Sequence, residues 1–338
     1  MRGTGLQPLE LDLNSALAIL AINNPIQCRN NLMNSVNLPR KVKIVEVGPR
    51  DGLQNEKEIV PLHIKVDLVN RLSKAGFQNI EAAAFVSPKW TPQMADSESV
   101  MSQINRTNAT VYSALTPNLM GYERALASKV DEVVIFSAAS EAFAMKNINC
   151  SIEQSIERFK PIAEAAKKDK LRLRGSISCA FGCPYQGQVS AEDTTTVVKY
   201  LLDLGCDEID ICDTIGVATA GQVQQTFEAI FKFASPELFS GHFHDTYGQS
   251  LANVFAALQT GVSIFHSSIA GLGGCPYAKG ATGNVATEDL VYLINGLGIE
   301  TGLDLIELVS IGEFISKAIG KQNGSRVGRA ITAKNNQS

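Results

Sequence analysis

The sequence is short of positive charge, aromatic rings and long apolar runs, and each shortage removes a class of function. Lysine and arginine total 30 against 34 acidic residues, a formal net charge of −4. No basic excess exists to neutralise a phosphate backbone, so broad binding to DNA or RNA is excluded. Aromatics make up only 7% of the chain, which leaves no stacking platform for bases. The longest apolar run near the N-terminus, Ala16 to Ile22, falls far below the roughly 20 residues that span a membrane. Glu10 and Asp12 precede that run, where a signal peptide carries positive charge. The seven cysteines are odd in number and scattered, and no CxxC pair occurs. That excludes a disulfide framework and a structural zinc site, and it points to a reducing compartment. The cytoplasm is the expected location. An N-terminal stretch with few arginines leaves the mitochondrial matrix as the alternative.

What is present fits a globular enzyme. Hydrophobic residues make up 45% and charged residues 19%, so the chain can bury a sizeable core and is not disordered. Residues 1–40 are rich in Asn and Leu, show no clear strand, and read as an extension, a short helix against the core. From Lys41 onward β-branched runs recur at Val42–Val47, Asn79–Val86, Thr110–Leu115, Glu132–Phe136, Leu171–Ser178, Glu208–Cys212, Phe239–His244 and Ser263–Ile269. Amphipathic stretches such as Leu62–Ala75 and Thr194–Leu204 lie between them. Gly76 and Gly205 stand where helices should stop. Eight strands alternating with helices predict a (β/α)8 TIM barrel over residues 41–325, with capping helices between Glu288 and Ile319. The rival is an open doubly wound sheet, which announces itself with GxGxxG after the first strand. Here that turn reads Gly48-Pro49-Arg50-Asp51-Gly52. Residues 326–338 read as a polar tail.

In such a barrel, chemistry collects at the C-terminal strand ends. His242 and His244 end the seventh strand in Gly-His-Phe-His-Asp, and alternation turns both to one face and Phe243 to the other. Two of only four histidines converging there make half a metal site, or else two hydrogen-bonded core residues. Asp51 ends the first strand, close to the seventh in a closed barrel, and follows Arg50 directly. A turn explains the Pro and the Gly but not the Arg beside the Asp. Glu81 sits among alanines in the second strand, costly to bury without an ion-pair partner such as an arginine. Asp213 ends the sixth strand, as an active carboxylate or as a turn residue. The loop Gly271–Ala278 sets Cys275 among glycines, an accessible thiol for proton transfer or an incidental one. Asn284 closes that loop with an amide oxygen to give to a metal or to a turn.

Several stretches taken together resemble the 3-hydroxy-3-methylglutaryl-CoA lyases. They are Val42–Lys57, Phe85–Trp90, Leu115–Asn118, Lys146–Cys150, Asp213–Gly216, His242–Gln249 and Gly271–Ala278, and the resemblance covers roughly residues 41 to 325. It implies that Asp51, His242, His244 and Asn284 hold a divalent cation, Mg2+ or Mn2+. The substrate would be a CoA thioester, cleaved to acetyl-CoA and acetoacetate. Arg50 would stabilise the enolate oxygen and Cys275 would protonate the enolate carbon. Glu81 and Asp213 would orient water, metal or arginine, or join a proton relay with His242. Lys57 would reach the CoA phosphates, and Glu288 would sit near a subunit contact or the cysteine loop. A homodimer is expected. Three positions depart from the family pattern. Ala83 and Ala84 stand where hydroxyl residues are common, His266 where an acid is usual, and Ala218 where glycine is common. His266 reads as a structural replacement, not a ligand.

Three rival readings remain. A synthase joining acetyl-CoA to a 2-oxo acid would share Arg50, Asp51, His242 and His244, but it usually carries a longer C-terminal region and lacks the cysteine loop. A Schiff-base aldolase needs a lysine at a strand end, and none stands there. An inactive CoA-binding barrel would not need Asp51, His242, His244 and Cys275 together.

Overall fold

Strands form where β-branched residues alternate with polar ones, and the turns between them fall at Gly and Pro. A computed structural model describes residues 38–274 and 283–335. The strands are β1 (Lys43–Glu46), β2 (Asn79–Ala84), β3 (Val111–Leu115), β4 (Glu132–Ala138), β5 (Arg172–Ser178), β6 (Glu208–Asp213), β7 (Phe239–Phe243) and β8 (Ile264–Ser267). All eight are parallel and close into a barrel in chain order, with β1 paired to both β8 and β2. The predicted (β/α)8 barrel is therefore the observed fold. Each predicted strand lies within two or three residues of the observed one.

Helices pack outside. Leu62–Lys74 buries Leu68, Val69 and Leu72, the apolar stripe expected of an amphipathic helix. It ends before Gly76, whose φ of +97° suits glycine. Ser190 opens Ala191–Asp203 with a reciprocal capping box to Asp193. The helices Thr287–Gly296 and Leu305–Ala318 follow the eighth strand, as anticipated.

Two features differ from the sequence reading. Residues 326–335 form a helix, Arg326–Asn335, instead of a tail. Its first turn is capped by Asp289, which accepts from Ser325 Oγ at 2.6 Å and from the amides of Arg326 and Val327 at 3.1 and 2.8 Å. A cap supplied from another helix leaves no local signature. A two-stranded ribbon also follows β5, pairing Gly182–Cys183 with Gly187–Gln188. Residues 1–37 and 336–338, including most of the expected N-terminal extension, lie outside the described residues. Among those described, no helix is long and apolar enough to cross a membrane.

The barrel interior is charged. In Glu208-Ile-Asp-Ile-Cys212 alternation turns the polar residues inward and Ile209 and Ile211 outward. Arg174 is fully buried at the centre, ion-paired to Glu81 and lying 3.6 Å from Glu132. Glu208 pairs with Lys43 at 2.7 Å and with His266 at 3.2 Å. Buried charges survive only when paired in this way.

Candidate active site

The C-terminal rim of the barrel encloses a cavity of about 500 Å3. Arg50, Asp51, His242 and His244 line one end, and Leu115 and Phe136 line another part of its wall. Four segments build the polar end.

The first is the turn after β1. Gly48–Gly52 forms a single π-helical turn, with the amide of Gly52 on the carbonyl of Val47 at 3.1 Å. Such turns are rare, and they concentrate at functional sites. A Cβ on Gly48 would fall 2.5 Å from Glu46 Oε1, which already accepts the Gly48 amide at 2.8 Å. The turn sets Arg50 and Asp51 side by side, Nη1 to Oδ1 at 2.8 Å. Arg50 also donates through Nε to Glu81, whose other oxygen accepts from Arg174. Burial alone would raise the pKa of Glu81, but the two guanidiniums outweigh it and hold the carboxylate ionised. Glu81 is thus the ion-pair partner expected, shared by two arginines. It fixes the Arg50 guanidinium at the cavity wall.

The second segment is the end of β7. His242 and His244 share a face, their ring centroids 5.5 Å apart, while Phe243 packs outward against Phe181. His242 Nδ1 faces Asp210 Oδ2 at 3.4 Å, and Nε2 faces Asn284 Oδ1 at 2.6 Å. Burial opposes charge on His242, yet Cys212 and Asp210 raise its pKa well above the usual imidazole value, so here Nε2 donates to Asn284 Oδ1. Loss of that proton would free Nε2 for a metal while Asp210 keeps Nδ1–H. Burial and the neighbouring His242 push the pKa of His244 down to about 4, so it is a neutral donor near pH 7. His244 Nδ1 is buried with no hydrogen-bond partner among the described residues.

The third segment follows the glycine loop. Asn284 bridges to His244 in the backbone, and its Nδ2 donates to Asp51 Oδ2 at 2.9 Å. Burial opposes the charge on Asp51, yet Arg50, His242 and His244 lower its pKa to about 2. Ligand atoms of Asp51, His242 and His244 lie within 4.8 Å of one another. An ionised carboxylate, two imidazoles and an amide oxygen, with one buried nitrogen unsatisfied, fit a divalent cation.

The fourth is the glycine loop itself. Cys275 falls in 275–282, outside the described residues. Its flanks are described: Gly273 and Gly283 adopt φ of +134° and +92°, and a Cβ on Gly283 would meet Gly273 at 2.7 Å. Asn55, just past the π-helical turn, donates to the Gly274 carbonyl at 2.9 Å.

Other anticipated residues sit apart from the donors. Asp213 uses its carboxylate on the amides of Val217 and Ala218, at 2.9 and 3.0 Å, which is the turn role. Burial raises its pKa to about 6 despite those amides. Lys57 is exposed and is not among the residues lining the cavity. Glu288 is buried and accepts the Ala270 amide at 2.9 Å, beside the glycine loop. His266 packs against His242, ring centroids 5.3 Å apart, but turns its nitrogens to Asp210, Glu208 and Arg174 at 3.2–3.3 Å and is not one of the clustered donors. Arg174 and Asp210, which orient Glu81 and His242, were missed by the sequence reading. The signal was there: Arg172-Leu-Arg174 and Glu208-Ile-Asp210 put charge on every second residue of a strand, a pattern costly unless both faces find partners.

The similarities to known proteins agree with this geometry. Residues 41–315 match the HMGL-like family. A Pseudomonas aeruginosa protein named 3-hydroxy-3-isohexenylglutaryl-CoA/hydroxy-methylglutaryl-CoA lyase is 54% identical over 299 residues, covering 88% of this chain and all of that one. The crystal structure of hydroxymethylglutaryl-CoA lyase from Pseudomonas aeruginosa superposes with a TM-score of 0.87, covering 88% of this chain and 99% of that one, at 54% identity. An HMG-CoA lyase from Acinetobacter baumannii, solved with coenzyme A and 3-methylmalate, is 37% identical with a TM-score of 0.83, covering 86% of this chain and 95% of that one. A barrel that carries Arg50 beside the Asp51, His242, His244 and Asn284 donors, and matches these relatives along nearly all of its length, belongs to the HMGL-like family.

Proposed function

We propose that this protein is a 3-hydroxy-3-methylglutaryl-CoA lyase, which breaks the C2–C3 bond of its substrate to give acetyl-CoA and acetoacetate. The observation that carries the reading is the convergence of Arg50 with the Asp51, His242, His244 and Asn284 donors at one end of one cavity.

Asp51, His242, His244 and Asn284 would hold a divalent cation, Mg2+ or Mn2+ by the oxygen content of the set. When bound, it supplies Lewis-acid polarisation of the substrate's oxygens and eases loss of the C3 hydroxyl proton. Loss of that proton lets the C3 oxygen form the ketone of acetoacetate. The C2–C3 electron pair moves onto the thioester as an enolate. Arg50, clamped by Glu81 and Asp51, meets the enolate oxygen with a charge that needs no reorganisation. Cys275, on the glycine loop, gives its proton to C2 and regains the one lost from the hydroxyl, so protons balance. Asp210 keeps the His242 ring oriented through Nδ1. Trp90 and Asn55 line the same cavity as the polar end. Lys57 is assigned to the CoA phosphates, and the active unit is a homodimer.

The test is a lyase assay on chelator-treated protein. Acetoacetate should appear from 3-hydroxy-3-methylglutaryl-CoA only after Mg2+ or Mn2+ is restored. Turnover confined to acetyl-CoA plus a 2-oxo acid would assign the barrel to the condensing synthases instead.

A further inference from the structure

The metal donors use one nitrogen of His242. The other faces a different chemistry. Nδ1 lies 3.4 Å from Asp210 Oδ2, and Cys212 Sγ lies 3.3 Å from that same oxygen. The barrel register brings them together: Cys212 is the pairing neighbour of His242 across β6 and β7, and Asp210 is two residues earlier on the same face. A carboxylate oxygen, a sulfur and an imidazole nitrogen all fall within 4.8 Å of one another. Ser176 Oγ stands 3.1 Å from both Asp210 Oδ2 and Cys212 Sγ. Asp210 is 4% exposed; its Oδ2 also faces His266 Nδ1 at 3.3 Å, and its Oδ1 has no hydrogen-bond partner among the described residues. An unsatisfied oxygen of this kind in a buried carboxylate calls for a partner. Ser176, Cys212 and His242 all line the cavity, so an ion that enters it reaches this corner.

We propose that Asp210, Cys212 and His242 Nδ1 form a second cation site, for a thiophilic divalent ion such as Zn2+, beneath the oxygen-rich site and sharing its imidazole. The donor set decides the ion. One sulfur, one nitrogen and one carboxylate with an open fourth position is the ligand chemistry of zinc, whereas Mg2+ takes oxygen. Burial, reinforced by Asp210, pushes the Cys212 thiol up to about 11. Binding therefore breaks the S–H bond as the sulfur–metal bond forms. That proton and the Nδ1 proton pass to solvent. Occupancy also removes the Nδ1 hydrogen bond by which Asp210 orients His242. Zn2+ is thus an inhibitor, and because a neutral imidazole offers only one lone-pair nitrogen the two ions oppose one another through His242, so saturating Mg2+ raises the Zn2+ concentration needed.

The test reads binding and so stands apart from the lyase assignment. Full-length, chelator-stripped protein is titrated with Cd2+ alone. A thiolate-to-cadmium charge-transfer band is expected in the wild type and in Cys275→Ser. The band should vanish in Cys212→Ser, with Cd2+ affinity at least roughly tenfold weaker and Mg2+ affinity unaltered. As a second measurement that needs no change at Cys212, X-ray absorption of Zn2+-loaded Cys275→Ser protein should show a sulfur scatterer at about 2.3 Å. A charge-transfer band that survives Cys212→Ser, or a zinc shell of nitrogen and oxygen alone, would overturn the proposal.

Discussion

Arg50 illustrates what single residues contribute and why neighbours matter. Its charge is useful to an enolate only if its position is fixed, and Glu81 and Asp51 fix it. Arg50→Lys keeps the charge but loses the planar fork, so kcat should fall by about 10^2–10^3-fold while Mg2+ affinity, read by titration, holds. Cys275→Ala should nearly abolish acetoacetate release and leave metal binding intact; a loss of metal affinity would contradict its role as proton donor. Glu81 tests burial. Removing its carboxylate strands two guanidiniums, and Glu81→Ala should cost about 3–5 kcal/mol in urea unfolding. The exposed Arg71–Asp67 pair is the control, and Asp67→Ala should cost under about 1 kcal/mol. At this scale the sequence displayed the ligands. Asp51, His242, His244 and Asn284 could all be picked out because polar residues at strand ends are conspicuous. Arg174 and Asp210 showed only as alternating charge along their strands, because the partners that give them roles lie on other strands.

The elements carry these residues through turn geometry. The π-helical turn after β1 packs on the end of β8, where a Gly48 Cβ would meet Ile269 and Ser268 at 3.2 Å. Glu46 ties the two together, accepting the amides of Gly48 and Ile269 at 2.8 and 2.9 Å. Gly216, in the turn held by Asp213, has φ of +69°, and an added Cβ would fall 2.9 Å from the Thr246 amide. Gly205 shares the left-handed backbone, with φ of +81°, but has open space around it. Both alanine variants should lose about 1–2 kcal/mol to backbone strain, and Gly216→Ala should lose more because backbone must move. Equal denaturation midpoints would show that the clash is relieved at no cost. Strands and helices were legible from alternation and glycine stops. The helix Arg326–Asn335 was not, since Asp289 caps it from a distance.

Burial raises three carboxyls above their usual range, and the two that reach neutral pH, Glu46 and Glu288, give the whole molecule a pH response there. Burial raises Glu46 to about 7 and Glu288 to about 8, against 4.5 for the free group. The folded state binds more protons than the unfolded chain across that interval. Their stabilisation is complete below pH 4.5 and is lost as pH rises through 7 and 8. Asp51, lowered to about 2, has the opposite sign but acts only below about pH 4. Chelator-treated protein should therefore melt at lower temperature at pH 9 than at pH 6.5, and Glu288→Gln should flatten that slope. A slope unaltered by Glu288→Gln would mean that another group carries it. Period-two and helical patterning sufficed for eight βα units and for the types of residue at the strand ends, because those are short-range properties of the chain. Ring closure decided the rest. It set Asn284 against Asp51, 233 residues apart, and ran Arg174 through the barrel axis to Glu81. It also turned the two nitrogens of His242 toward different partners. Contacts of that range depend on strand register and barrel shear, which no local pattern encodes. The opening deficit of positive charge takes its meaning from this. Few basic groups are available, and the barrel spends two arginines on one buried glutamate beneath the site.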